Sequence, residues 1–246
     1  MIAADPAKKD EEMSWLRSLP KAELHCHLGG SADARSLLVI AETYRKEIEG
    51  IEVLQRIRNS LRNEIEKGKG PVLDQLSQGT DWKVLVRDGD PASLHTKIAA
   101  MLMAFADTPD MLDQCVHHRL RDASQFVGDK SQESFDRYER TGNVQGSSLL
   151  QTREAITVAT ECLAQKMIAD NVRYLEVRCS PCNYTRGGLS ALDVVKTIHA
   201  ALEKHKDKLS FGLIIIGSRH RKMSDIYQHI ELVEEINQSG CDYNIV

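Results

Sequence analysis

Val172-Arg173-Tyr174-Leu175-Glu176-Val177 is rich in β-branched and aromatic residues and reads as a strand. Ahead of it, Ser148-Leu149-Leu150-Gln151 has the form of a capping box. Ile156, Ala159, Leu163 and Met167 then recur at helical spacing until Asn171 ends the run. Behind it, Pro181 and Gly187-Gly188 break the strand, and Ser190 opens a helix whose Val194, Val195, Ile198 and Leu202 share one face. Phe211-Gly212-Leu213-Ile214-Ile215-Ile216 is apolar throughout, as a strand covered on both faces must be. Ser224 is expected to cap a further helix with Ile226, Ile230 and Val233 inward. Ser239-Gly240 stops it, and Tyr243-Asn244-Ile245-Val246 begins another strand. Strand and helix thus alternate in units of roughly 35 residues, the rhythm of a parallel sheet.

Working back from this half, Lys21-Ala22-Glu23-Leu24-His25-Cys26-His27-Leu28 alternates in period two. That places Leu24, Cys26 and Leu28 on one face and Glu23, His25 and His27 on the other. The two imidazoles stand about two strand rises apart, ~6.6 Å, a gap that two side chains can close onto one metal ion. Gly29-Gly30-Ser31 follows directly, so the pair sits at a strand's carboxyl end, where barrel enzymes build their sites. Between residues 31 and 147 the sequence reads as helices. One follows Asp33, one carries Leu54, Ile57, Leu61 and Ile65, one opens at Ser93, and one begins at Thr108-Pro109. Together these signals predict the first half of an α/β (β/α)8 TIM-type barrel, residues 1–246 forming one domain with a helical insertion over 31–147. A core strand needs a covering helix, so more barrel is expected beyond Val246.

The 246 residues are 41% hydrophobic and 28% charged, a globular balance that fits neither disorder nor a membrane-embedded chain. A net charge of −4 supplies no broad attraction to phosphate backbones or acidic lipids, so neither nucleic acid nor membrane is an expected partner. The amino terminus lacks the apolar stretch of a secretory signal, and a cytoplasmic location is expected. The six cysteines are read as buried thiols.

The run Leu19-Pro20-Lys21-Ala22-Glu23-Leu24-His25-Cys26-His27-Leu28-Gly29-Gly30-Ser31 resembles the first strand and loop of the adenosine deaminase family. Asn171-Val172-Arg173-Tyr174-Leu175-Glu176-Val177-Arg178-Cys179-Ser180-Pro181 is similar to that family's second strand, and the strand ending in Ser218-Arg219-His220 to its third. The resemblance implies a metal-dependent purine deaminase in which His25 and His27 hold Zn2+ or another divalent ion. The hydroxide generated there replaces the 6-amino group of adenosine, AMP or ATP. The third histidine ligand and the acid and base residues of such enzymes come from later strands, so no catalytic residue is assigned up to Val246. Nucleoside-specific members usually carry an acidic residue two places after the second histidine. Here that place holds Gly29, which removes a charge that would repel a 5′-phosphate. Gly29 and His220 are accordingly the candidate substrate contacts, and the long insertion is the expected surface for homo-oligomer assembly. The insertion and Gly29 also resemble deaminase domains of bacterial antiviral systems.

Other readings concern the same residues. Another amidohydrolase-type metal hydrolase would also open with His-x-His, and a catalytically incomplete half-barrel would serve as a scaffold. Cys179-Ser180-Pro181-Cys182 has redox spacing but runs into a loop sequence rather than a helix, and His229-Ile230-Glu231 has no P-C-x-x-C after it and reads as surface. His117-His118 are read as solvated, and Glu23 and Glu176 as partners for Arg173, Arg178 or Arg219.

Overall fold

The apolar runs do form strands, in one parallel sheet ordered β1 (Lys21–His27), β2 (Val172–Cys179), β3 (Ser210–Ile215). This computed structural model describes residues 6–50, 93–110, 112–113, 146–217 and 222–246, with the isolated positions 52, 59 and 63. Beyond β3, Leu213 bridges Ile245 in parallel. The Leu213 N–H donates to Asn244 O at 2.7 Å and the Val246 N–H to Leu213 O at 3.0 Å, so residues 243–246 take the place of a fourth strand.

The helices are α1 (Pro6–Ser18), α2 (Ala34–Glu42), α3 (Arg45–Glu49), α4 (Leu94–Met103), α5 (Arg153–Ala169), α6 (Ala191–Glu203) and α7 (Met223–Gln238). Four begin at side-chain caps: the Asp33 carboxylate accepts from Ser36 N, Ser93 from Thr96 N, Thr152 from Ala155 N and Ser190 from Asp193 N. Each satisfies an amide that the first turn leaves without an intrahelical partner. Ser190 and Asp193 complete a reciprocal capping box. Asn171, expected to end α5, does so with a left-handed φ of 59°. None of the described helices is long and apolar enough to cross a membrane.

One core runs under the sheet. Leu175, Val177 and Leu213 from the strands meet Ile156, Leu163, Val194, Val195, Ile198 and Leu202 from α5 and α6. The same core continues into the start of the insertion, where α2 packs on α4 and α5 through Leu37, Ile40, Ile98 and Leu102. Pro109 and Asp110 are helical and Leu112 N donates to Thr108 O, as the Thr108-Pro109 signal predicts. The helix expected around Leu54 to Ile65 lies outside the described residues, as do His117, His118, Arg219 and His220.

Of the described cysteines only Cys179 is fully buried and Cys241 is exposed, against the expectation of buried thiols. Three further expectations are overturned. Ser148-Leu149-Leu150-Gln151 opens no helix: 146–149 is a turn, and α5 starts only after Thr152. Gln151 is instead buried and spends its amide on distant backbone, as detailed below. α7 opens at Met223 with Lys222 at its cap position and no side-chain cap bond, so Ser224 does not cap it, and its buried face is His229, Leu232 and Ile236, not Ile230, which is 49% exposed. His229 is therefore not on the surface: its Nδ1 lies 2.6 Å from Asp225 O and its Nε2 is buried without a partner among the described residues.

The third concerns β1. Glu23 registers with Leu175 and Cys26 with Val177, so β1 carries one extra residue between these pairs. Such a bulge shifts the alternation. Glu23 thereby turns to the side of Cys26, near enough to help raise its thiol pKa, while Leu24 is 53% exposed. The Glu23 carboxylate bonds the His25 N–H at 2.9 Å rather than an arginine, and Glu176 accepts from Tyr174 Oη at 3.3 Å.

Candidate metal-binding strand end

His25 and His27 lie beyond the bulge, and their rings stand side by side with centroids 5.2 Å apart and planes inclined by 38°. Both are exposed at the carboxyl end of β1. Partial desolvation, then the neighbouring His25 and Arg178, hold the His27 imidazole below its ordinary pKa. Each of these disfavours the protonated ring, and the neutral ring is the form that binds metal. Two adjacent imidazoles at a strand end suit two positions of a metal centre. Among the described residues, no third histidine, cysteine or carboxylate joins them.

The other face of the strand ends is closed. Burial pushes the Cys26 thiol up to about 11 and the Cys179 thiol up to about 12. Cys182 lies in a short 3-10 turn, Pro181–Tyr184. Burial raises the Cys182 thiol as well, so the Cys179–Cys182 spacing lacks the lowered thiol pKa of a redox pair.

Arg178 was not singled out from the sequence as a site residue. It registers with His27 and therefore shares its face, since Val177 and Cys179 on either side are buried. One of its terminal nitrogens reaches Leu24 O at 3.5 Å, in the bulge, and its Nε is buried with no partner among the described residues. The period-two alternation of β2 was the signal that places it beside the histidines.

The turn after β1, Leu28–Gly30, is wedged rather than free. A Cβ on Gly29 would come within 2.9 Å of Gly146 Cα and 3.1 Å of Tyr184 Oη. Glycine is thus demanded here by close packing, whatever its effect on substrate charge. Tyr184 is itself buried, and its hydroxyl is pushed well above its usual pKa by burial and then by Cys179.

Known proteins resemble this chain in sequence and in fold. The adenosine deaminase family model matches residues 111–241, more than half of the chain. An adenosine deaminase of Streptococcus mutans is 28% identical over 100 residues, 39% of this chain and 29% of that protein. One of Enterococcus faecalis is 27% identical over 95 residues, 37% and 28% respectively. Among solved structures, the ADAL–IMP complex superposes with a TM-score of 0.51 at 17% identity, covering 95% of this chain and 50% of that one. Arabidopsis N6-mAMP deaminase gives 0.50 at 18% identity with the same coverage. The chain spans about half the length of these structures, and the parallel β1-β2-β3 sheet with its helices is the fold of the first half of their TIM-type barrel.

Proposed function

Because the chain belongs to the adenosine deaminase family, we propose that it carries the metal-binding strand of a hydrolytic purine deaminase. The observation that supports this is the pairing of His25 and His27, rings 5.2 Å apart at a barrel strand's carboxyl end. These two residues would hold a divalent ion, zinc or another, which when bound supplies the Lewis acidity for hydrolytic loss of a purine 6-amino group. The chain's own contribution is to hold the two rings adjacent, with His27 kept below its ordinary pKa, on a strand fixed by pairing with β2 and by the core beneath it. Residues 31–147 form an insertion within one barrel domain, and it is the surface through which copies of the protein would associate. Among the described residues no third ligand joins this pair.

The substrate favoured is an adenine nucleotide over free adenosine. The turn at Gly29 presents no carboxylate to repel a phosphate, and one similar structure is a complex with IMP. His220 is retained as a second candidate contact on sequence grounds.

Metal analysis combined with an ammonia-release assay on adenosine, AMP and ATP tests the reading. His25→Ala should lose both bound metal and turnover, because one remaining imidazole cannot retain the ion. A variant that keeps metal and activity refutes it. A strong preference for adenosine would retain the deaminase and discard the nucleotide. A metal-to-protein ratio near two would point to another amidohydrolase-type reaction.

A further inference from the structure

The stretch that failed to cap a helix has another role. Gln151 is 1% exposed, and every polar atom of its side chain is engaged. Its Nε2 donates to Asn183 O at 2.9 Å and to Ser147 O, while its Oε1 accepts the Arg186 N–H at 2.8 Å. The Arg186 side chain returns to Ser147 O. The backbone is matched as closely: a Cβ on Gly187 would fall 2.0 Å from Gln151 O. On its other side the same stretch holds the insertion, through Tyr44 Oη donating to Leu149 O at 2.6 Å. Below, Gly146 sits against Gly29, two residues from His27. Residues 146–151 therefore touch the turn after β1, the loop after β2 and the first helices of the insertion at once. Both turns belong to the carboxyl face of the sheet, where the substrate of a barrel enzyme enters.

We propose that Gln151 is a positioning residue that locks the 181–188 loop to the returning end of the insertion, so that the insertion sets the shape of the mouth around His25 and His27. A buried amide with all its bonds made holds its partners in one arrangement, and losing them releases whichever partner lacks other support. β2 and β3 have their ladder and core without Gln151, and Tyr184 is anchored by its own burial, whereas the Arg186 N–H is bonded by Gln151 Oε1. That the mouth serves a purine substrate rests on the deaminase reading, but the locking itself does not.

The test is amide hydrogen exchange on the full-length protein and its Gln151→Met and Gln151→Glu variants, with steady-state kinetics on AMP alongside. Methionine keeps the volume and removes all three bonds, so protection of the Arg186 amide should fall about tenfold to a hundredfold while β2 and β3 amides hold. Glutamate keeps an acceptor for the Arg186 N–H but sets its other oxygen against the Asn183 and Ser147 carbonyls, so protection should fall there too. KM should rise about tenfold in Gln151→Met, with kcat changed far less. Equal loss of protection across β2, β3 and the loop would mean that Gln151 serves the core as a whole, and would overturn the proposal. So would a Gln151→Met whose Arg186 amide stays as protected as in wild type, or a fall in kcat with KM unmoved. If the wild type turns over no purine, the deaminase reading fails while the exchange pattern still decides the role of Gln151.

Discussion

Replacing Gly29 by alanine probes the point where the insertion presses on the metal-binding strand. The added methyl carbon would lie 2.9 Å from Gly146 Cα and 3.1 Å from Tyr184 Oη, where ordinary contact needs at least about 3.5 Å. Neither neighbour yields easily. Gly146 is backbone whose carbonyl accepts from both Leu149 N and Leu150 N, and Tyr184 is buried. Forcing one methyl group into such a site costs about 1–3 kcal/mol. For a chain of this size each kcal/mol lowers Tm by about 2–4 °C, so the variant should melt roughly 2–12 °C below wild type. Thermal unfolding followed by circular dichroism measures this, with Gly50→Ala as the control. A Cβ on Gly50 meets only carbonyl oxygens at 3.6 Å and the residue has ordinary right-handed dihedrals, so that substitution should be neutral or slightly stabilising. If Gly29→Ala melts with Gly50→Ala, the close approach to Gly146 is not a constraint and glycine stands at 29 for another reason.

Tyr44→Phe removes the buried hydroxyl that donates to Leu149 O and should cost about 0.5–1.5 kcal/mol in urea unfolding, the value of one hydrogen bond, because the carbonyl still accepts from Gln151 N. Thr152→Ala should lose about 0.5–2 kcal/mol as a true cap, whereas Ser148→Ala should stay within about 0.5 kcal/mol; the reverse order would restore the capping box at Ser148. Because Cys26 and Cys179 keep their protons to about pH 11 and 12 in the folded chain, the unfolded chain ionises first as pH rises past 9. The folded state then binds more protons than the unfolded, so stability should fall between about pH 9 and 12, and a flat profile there would contradict the burial of these thiols. At pH 8 a thiol reagent should modify the exposed Cys241 well before Cys179.

What could be read from residue order was whatever depends on a few neighbours. The α/β alternation, the caps at Asp33, Ser93 and Ser190, the stop at Asn171 and the core faces of α5 and α6 each follow from one turn or one strand of local pattern. So does the placing of His25 and His27 on one side, two residues apart. Long-range pairing supplied the rest. Glu23 changed faces because β1 gains a residue against β2, a register that belongs to neither strand alone. Gly29 and Gly146 are 117 positions apart in number and in contact in space, Gln151 found one acceptor and one donor in a loop more than thirty residues on, and the α7 face rotated to bury His229. Periodicity tells a helix or strand which side is apolar. It carries no information about which distant backbone will come close enough to exclude a methyl group or claim a hydrogen bond, since that is settled only when the whole core packs.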